Sequence, residues 1–178
     1  MHRLFVAIRP PAAVREQLID LMDGVAGARW QDDEQLHLTL RFIGEIDARQ
    51  ADDVAAALGQ VHAPGFELAL AGLGTFAKKG RVHTLWAGIA APHDPLLHLQ
   101  RKIEQACQRA GLPPEPRAYA PHVTIARLSG ATAPLDMFLA MHAGFATARF
   151  PVAHFGLYES HLGAAGSMYE LIERYPLE

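Results

Sequence analysis

The sequence predicts an α+β protein built as two similar lobes, and three observations carry that reading. Strand and helix patterns run in the order strand, helix, strand, helix, strand, and the whole order occurs twice. Short motifs recur at a nearly constant offset. Leu85-Trp86-Ala87-Gly88-Ile89 follows Leu4-Phe5-Val6-Ala7-Ile8 by 81 residues, His122-Val123-Thr124-Ile125 follows His37-Leu38-Thr39-Leu40 by 85, and Phe150 follows Phe66 by 84. An offset shared by three motifs and close to half the chain points to an internal duplication. Finally, 178 residues of which 50% are hydrophobic and 20% charged suffice for a sizeable core. The two lobes span about 1–80 and 81–178 of a single domain, with terminal strands free to exchange between them. A pseudo-twofold relation sets equivalent strands face to face across a cleft.

Each element has its own signal. Residues 3–8 are rich in β-formers and read as a strand. Pro10 and Pro11 open a helix, where proline is tolerated, and Val14, Leu18, Leu21 and Met22 give it an apolar stripe before Gly24 and Gly27 end it. Residues 36–43 alternate as a strand does. Asp47 with Gln50 reads as a capping box for a helix running to about Val61. Phe66 to Phe76 reads as a strand. In the second half, Leu85 to Ile89 is a strand, and Asp94-Pro95 caps a helix with Leu96, Leu99, Ile103 and Ala106 on one face, stopped by Gly111. A strand at His122 to Ile125 follows. A short helix runs from Pro134 to Met141, then strands from Phe150 to Tyr158 and Met168 to Tyr175.

Composition narrows the function. The net charge is only −3, so the chain as a whole makes no electrostatic case for a nucleic-acid surface, although a local basic patch would not show in that sum. No run of 18 apolar residues predicts a spanning helix, and Leu4 to Ile8 is too short for the core of a signal peptide. The single cysteine, Cys107, has no internal disulfide partner, which predicts a buried thiol in a reduced, cytoplasmic protein. Histidine is abundant, at 10 residues.

Two of those histidines stand in matched motifs, His37-x-Thr39 and His122-x-Thr124. Chance predicts about 0.3 such tripeptides in this composition, so the pair is informative where one would not be. Strand periodicity puts each histidine and threonine on one face and Leu38, Leu40, Val123 and Ile125 on the other. Each motif thus buries an aliphatic face and presents an imidazole and a hydroxyl. Imidazole is neutral or charged near pH 7, so two of them supply a base and an acid, while threonine hydroxyls donate to an anion between them. Displacement at a phosphodiester needs that arrangement, with proton acceptor and donor on opposite sides of phosphorus.

With these motifs in place the chain resembles the two-histidine phosphoesterases, and among them the bacterial RNA 2′,3′-cyclic phosphodiesterases, also called the 2′-5′ RNA ligase family. The similarity covers nearly the whole chain. It runs through residues 3–8 with Pro10-Pro11, Arg29-Trp30, residues 37–44, residues 72–76, Leu85 to Gly88, Pro121 to Arg127, and Leu157-Tyr158. The resemblance implies two pseudo-twofold-related lobes, each with an antiparallel sheet and outer helices, and an active site in the central cleft. It implies hydrolysis of a terminal 2′,3′-cyclic phosphate on RNA to a 2′-phosphomonoester, with a reversible 2′-5′ ligase activity. It assigns His37 as proton donor, His122 as proton acceptor, and Thr39 and Thr124 as phosphate-binding residues. It implies no metal and no cofactor. The expected partners are RNA ends or small cyclic-phosphate nucleotides, with no membrane and no obligate protein partner, so that a monomer suffices.

The resemblance also marks Phe42 and Arg127, each five residues after a motif histidine, as substrate contacts. Strict alternation puts both on the faces opposite the histidines and favours Arg41 as the cation beside His37. Phe42 and Arg127 reach the cleft only if the strands end, twist or bulge before them. Lys78-Lys79-Gly80-Arg81 reads as a solvated loop or as a phosphate contact, and Trp30 and Tyr119 as core packing or base stacking. The other eight histidines lack metal-ligand spacing, and no P-loop, Gly-x-Gly-x-x-Gly or Gly-x-Ser-x-Gly motif occurs. Two further readings remain: a phosphodiesterase for a small cyclic nucleotide or an ADP-ribose cyclic phosphate, and an RNA-end-binding module without turnover.

Overall fold

A computed structural model describes residues 1–129 and 134–178. In chain order the elements are β1 His2–Ile8, α1 Ala12–Asp20, β2 Arg29–Trp30, a 3-10 turn Asp33–Gln35, β3 Leu38–Ile46, α2 Ala48–Leu58, β4 Phe66–Leu68, β5 Leu70–Lys78, β6 Arg81–Ile89, α3 Asp94–Arg109, β7 His122–Arg127, α4 Asp136–Met141, β8 Phe150–Val152, β9 His154–Gly163 and β10 Gly166–Pro176. All observed strand pairings are antiparallel.

The local signals translate into these elements with instructive exceptions. α1 starts directly after Pro11 and buries Val14 and Leu18, but ends at Asp20, leaving Leu21 and Met22 to pack from the following turn. The Asp47 side chain accepts from the Gln50 N–H at 2.8 Å and starts α2. A reciprocal capping box forms instead at Asp32 and Gln35, ahead of the first histidine motif, which fixes how the chain enters β3. The strand expected over Phe66 to Phe76 divides at Ala69 into β4 and β5, and that over Phe150 to Tyr158 divides at Ala153 into β8 and β9. In both cases the short first piece leaves the main sheet and pairs with its counterpart, β4 with β8. Pro151, which has no N–H to give a ladder, lies in that two-stranded ribbon.

The main sheet has the order β10-β9-β1-β3-β7-β6-β5, with β2 against β7. The order is symmetric about its centre. β3 and β7 meet at the centre, β1 and β6 flank them, and β9 and β5 lie outside those. Register locates the pseudo-twofold axis. Leu38 pairs with Val123, and these occupy equivalent motif positions 85 residues apart. Glu67 pairs with Pro151 in the same self-equivalent way, 84 residues apart. An antiparallel pair of equivalent residues marks where a twofold passes through the backbone. A boundary at 80/81 falls in the tight turn between β5 and β6, and β9 and β10 add to β1, so each half of the sheet draws strands from both halves of the chain.

The helices cover one face of the sheet. Leu4, Val6, Leu38, Leu40, Leu85, Ala87, Val123, Ile125, Phe155 and Leu157 point into that layer and meet Leu18 of α1, Leu58 of α2, Leu96, Leu99 and Ile103 of α3 and Phe138 of α4 in one apolar core. Cys107 is buried there, and burial raises its thiol to about 11. The other face carries a small separate cluster of Phe5, Ala7 and Tyr158 with Tyr169 against it. No helix among the described residues is long and apolar enough to cross a membrane.

Candidate active site

The uncovered face of the sheet carries both histidines. Leu38 and Val123 are 1% and 0% exposed and point to the helices, so their neighbours His37, Thr39, His122 and Thr124 point the other way. Antiparallel register about Leu38–Val123 sets His37 opposite Thr124 and Thr39 opposite His122, so the two imidazoles stand on a diagonal with a hydroxyl beside each. Leu38–Val123 is the only pair in register between β3 and β7 among the described residues.

Each imidazole sits in an aromatic frame. His37 is 7% exposed, with Tyr158, Tyr169 and Phe5 edge-on to it at ring-centroid distances of 4.6, 5.5 and 5.9 Å. Neither of its ring nitrogens makes a well-formed hydrogen bond among the described residues, although the Gln35 backbone lies near enough to act on the ring. Burial pushes its pKa down to about 4, the Gln35 backbone pulls the other way, and the charges of Arg9 and Arg15 add to the depression. His122 is half-buried, with Phe76 edge-on at 4.8 Å and Trp86 at 6.0 Å. The Trp86 indole lies across β5 over Gly74, where a Cβ would stand 2.3 Å from the ring, so only glycine admits it there. The Nδ1–H of His122 donates to the Ala120 carbonyl at 2.6 Å, which leaves Nε2 as the free, proton-accepting nitrogen. Burial lowers the pKa of His122, the Ala120 carbonyl opposes this, and Arg127 adds to it.

The remaining candidates are sorted by two β-bulges. In β3, Phe5 pairs with Phe42, Val6 with Arg41 and Ala7 with Thr39, so Leu40 is an extra residue. In β7, Thr84 pairs with Arg127, Leu85 with Ala126 and Trp86 with Thr124, so Ile125 is extra. Leu40 and Ile125 are equivalent positions. Each bulge shifts side-chain parity by one, turning positions 41 and 126 toward the helices and positions 42 and 127 toward the cleft. Phe42 is exposed beside the cleft, with the Arg3 guanidinium 5.4 Å from its ring centroid. Arg127 is exposed, reaches Thr84 Oγ1 at 3.4 Å, and its charge acts on both His122 and Tyr169, one ring from each motif's surroundings. Arg41 goes the other way. It is 7% exposed, and its guanidinium donates to Glu104 at 2.6 Å, to the Phe42 carbonyl at 2.8 Å and to the Pro113 carbonyl at 2.5 Å. The alternation that sets Arg41 beside His37 breaks at the Leu40 bulge: its donors go to Glu104 and two carbonyls, and the residue lines the cavity beside His122 instead.

A cavity of about 500 Å³ opens beside His122, walled by Thr39, Arg41, Phe42, Phe76, Glu104 and Tyr119. Tyr119 belongs to this wall through its hydroxyl, which donates to the Thr39 carbonyl at 2.9 Å, while Trp30 packs on Phe138 at 5.8 Å. Lys78 to Arg81 forms the β5–β6 hairpin turn, with Lys79 and Gly80 both at positive φ, and it is exposed. A second cavity, of about 280 Å³, opens on the other side of His37 between Arg9, His154, Tyr158, Tyr169 and Arg174; its residues carry no motif that sequence reading would have singled out. Glu159, His161 and Glu170 could together hold a cation, but they lie on β9 and β10, on the helix-side parity set by Phe155 and Leu157 and away from both histidines.

Comparison with known proteins identifies the family and the fold. The profile of the 2′-5′ RNA ligase superfamily matches residues 10–164. An Escherichia coli protein named RNA 2′,3′-cyclic phosphodiesterase is 30% identical over 99% of this chain and 97% of its own length. A protein of the same name from Geobacillus stearothermophilus is 31% identical over 97% of this chain. The chain spans little more than half the length of that relative, 56%, and 57% of an Aeropyrum pernix relative. The crystal structure of E. coli LigT complexed with 3′-AMP superposes with a TM-score of 0.81 at 27% identity, covering 99% of this chain and 98% of that one. The chain belongs to the 2′-5′ RNA ligase superfamily of two-histidine phosphoesterases.

Proposed function

We propose that the protein is a metal-independent RNA 2′,3′-cyclic phosphodiesterase that leaves a 2′-phosphomonoester, with reversible 2′-5′ ligation as the same chemistry run with a ribose 5′-hydroxyl in place of water. The observation that carries the reading is the diagonal of two imidazoles flanked by two threonines on one uncovered sheet face. Relatives 30 and 31% identical to this chain carry the name of this activity.

The residues divide the work as follows. Nε2 of His122, freed by the Nδ1–H bond to Ala120, accepts the proton of the attacking water. The water oxygen bonds to phosphorus as the bond from phosphorus to O3′ breaks, and His37 delivers a proton to O3′. Thr39 and Thr124 donate to the non-bridging oxygens, and Arg127 offsets the charge that builds on them. Phe42 offers a face for the base or ribose. His37 starts neutral near pH 7, so it must be charged by the substrate itself: an anionic phosphate between the rings favours the imidazolium and raises its pKa. Arg41 is a positioning residue that ties β3 to α3. The single buried cysteine fits a reducing, cytoplasmic location. A mononucleotide with a cyclic phosphate also fits the 500 Å³ cavity, which keeps a small-nucleotide substrate as the second reading.

The test is end-group analysis of an oligoribonucleotide bearing a 2′,3′-cyclic phosphate, incubated with the protein in excess EDTA. A 2′-phosphate product is expected. No turnover, or a 3′-phosphate, would overturn the reading. His37→Ala and His122→Ala should each lose about 10²–10⁴-fold in kcat while keeping the wild-type circular dichroism spectrum.

A further inference from the structure

We propose that the cavity between Arg9, His154 and Arg174 is a second anion subsite, which takes the phosphate on the 5′ side of the terminal nucleotide. The inference rests on the cyclic phosphodiesterase reading and extends it from one phosphate to two.

The cavity is built from cationic and hydrogen-bonding groups on the cleft face. In β10 and β9, Leu171 pairs with Tyr158 and Arg174 with Gly156, the bulge at Ile172 lying between them. Arg174 therefore shares the face of Tyr158, whose ring is 4.6 Å from that of His37. Its guanidinium has no ion pair and no hydrogen bond among the described residues, yet its charge acts on both His154 and Tyr158. Arg9 enters from the end of β1. Its Nη2 meets Asp33 at 3.1 Å and Glu34 at 3.3 Å, while its buried Nε has no partner among the described residues. Arg15 also lines the cavity but is committed to Asp33 at 2.9 Å and to the Pro10 carbonyl at 2.6 Å. Two carboxylates thus stand against three guanidiniums, and Arg174 is the cation left over. The hydroxyls of Tyr158 and Tyr169 stay protonated, because burial raises both, and they can donate.

Substrate chemistry says what such a pocket meets. The leaving O3′ belongs to the terminal ribose, so if His37 protonates it, that ribose lies on the His37 side of the phosphorus. The rest of the chain leaves the same ribose through O5′, which carries the next phosphate. The next anion is therefore presented to the His37 side, where this cavity of about 280 Å³ opens. The nucleophile approaches from the opposite side, beside His122.

The experiment compares uridine 2′,3′-cyclic phosphate with the same compound carrying a 5′-phosphate, using the full chain at fixed ionic strength. Wild type is expected to show a kcat/KM about tenfold higher for the 5′-phosphorylated substrate, the size of one charge-assisted hydrogen bond. Arg174→Gln is expected to bring that ratio close to one, Arg174→Lys to keep part of it, and Arg149→Gln, an exposed arginine paired with Glu67, to keep all of it. Inorganic phosphate added at millimolar levels should lower the ratio as well, by filling the subsite. Equal kcat/KM for the two substrates in wild type, or an unchanged ratio in Arg174→Gln, would overturn the subsite while leaving the cyclic phosphodiesterase activity standing. Turnover of neither substrate would overturn the activity, and the subsite with it.

Discussion

The two histidines face the same face of the same sheet, but their environments set different demands. His122 keeps one nitrogen bonded to a backbone carbonyl and the other free, a tautomer ready to accept a proton. His37, enclosed by three aromatic rings and with a pKa near 4, is a poor cation until an anion arrives. The consequence is a difference between two pH profiles. The pH optimum of kcat/KM reports the two histidines in the free enzyme and that of kcat reports them with phosphate bound. The optimum of kcat should lie at higher pH than that of kcat/KM, because the bound anion raises the pKa of His37; coincident optima would show that the substrate does not charge His37. The same depression has a cost in stability. A histidine whose folded pKa lies below its unfolded value of 6.5 loses stability as pH falls from 6.5 toward about 4, since the unfolded chain binds the proton more readily. Chemical denaturation at pH 7 and pH 4.5 should show a loss of up to about 3 kcal/mol from this residue. His37→Phe should flatten that dependence.

At the scale of elements, the bulges decide which way each arginine faces. Arg41 and Ala126 hold equivalent places just after the bulges, and both point to the helices. Arg41 is tolerable there only because Glu104 and two carbonyls take up its donors. Arg41→Met leaves the Glu104 carboxylate half-buried without its cation, and should cost about 3 kcal/mol in urea denaturation while kcat/KM per folded molecule falls less than fivefold. Arg127→Met should do the reverse: stability within about 0.5 kcal/mol and kcat/KM down about 10- to 100-fold. If Arg41→Met proved the catalytic lesion and Arg127→Met the structural one, the assignment of faces would be wrong. These bulges also mark where sequence reading stops. His37, Thr39, His122 and Thr124 were legible because alternation holds up to them and their aliphatic neighbours confirm the faces. Leu40 and Ile125 carry no glycine or other local signature of an extra residue, so alternation ran on past them and favoured Arg41. The breaks at Ala69 and Ala153 were hidden for a related reason. They exist because β4 and β8 find each other across the molecule, a partner choice that no local pattern encodes. The same holds for β9 and β10, whose place beside β1 is set by non-local pairing, and for Arg174, whose role depends on that pairing.

The whole molecule has a net charge of −3 and acts, on this reading, on a polyanion. The two facts are compatible if the protein grips the end of the RNA and leaves its body in solvent. The geometry supports that division. The unpaired or cleft-facing cations, Arg127 and Arg174, lie next to the histidines, whereas the basic turn at Lys78 to Arg81 projects from a hairpin end. Counterion release makes the consequence measurable. Each phosphate neutralised on a single strand contributes a slope of about −0.7 in log affinity against log salt. Held at two phosphates, the enzyme should show a slope of log kcat/KM near −1.4 for a dinucleotide ending in a cyclic phosphate, and about −0.7 for a cyclic mononucleotide that lacks the 5′-phosphate. Chain length should then stop mattering: substrates of two, six and twelve nucleotides, assayed between about 50 and 300 mM KCl, should give the same slope. A slope that steepens with each added nucleotide would mean that a surface outside the cleft, with the Lys78–Arg81 turn as its densest positive point, binds the RNA body. In that case Lys79→Gln and Arg81→Gln should bring the twelve-nucleotide slope back to the dinucleotide value. If end recognition is the rule, the same two substitutions leave every slope where it was.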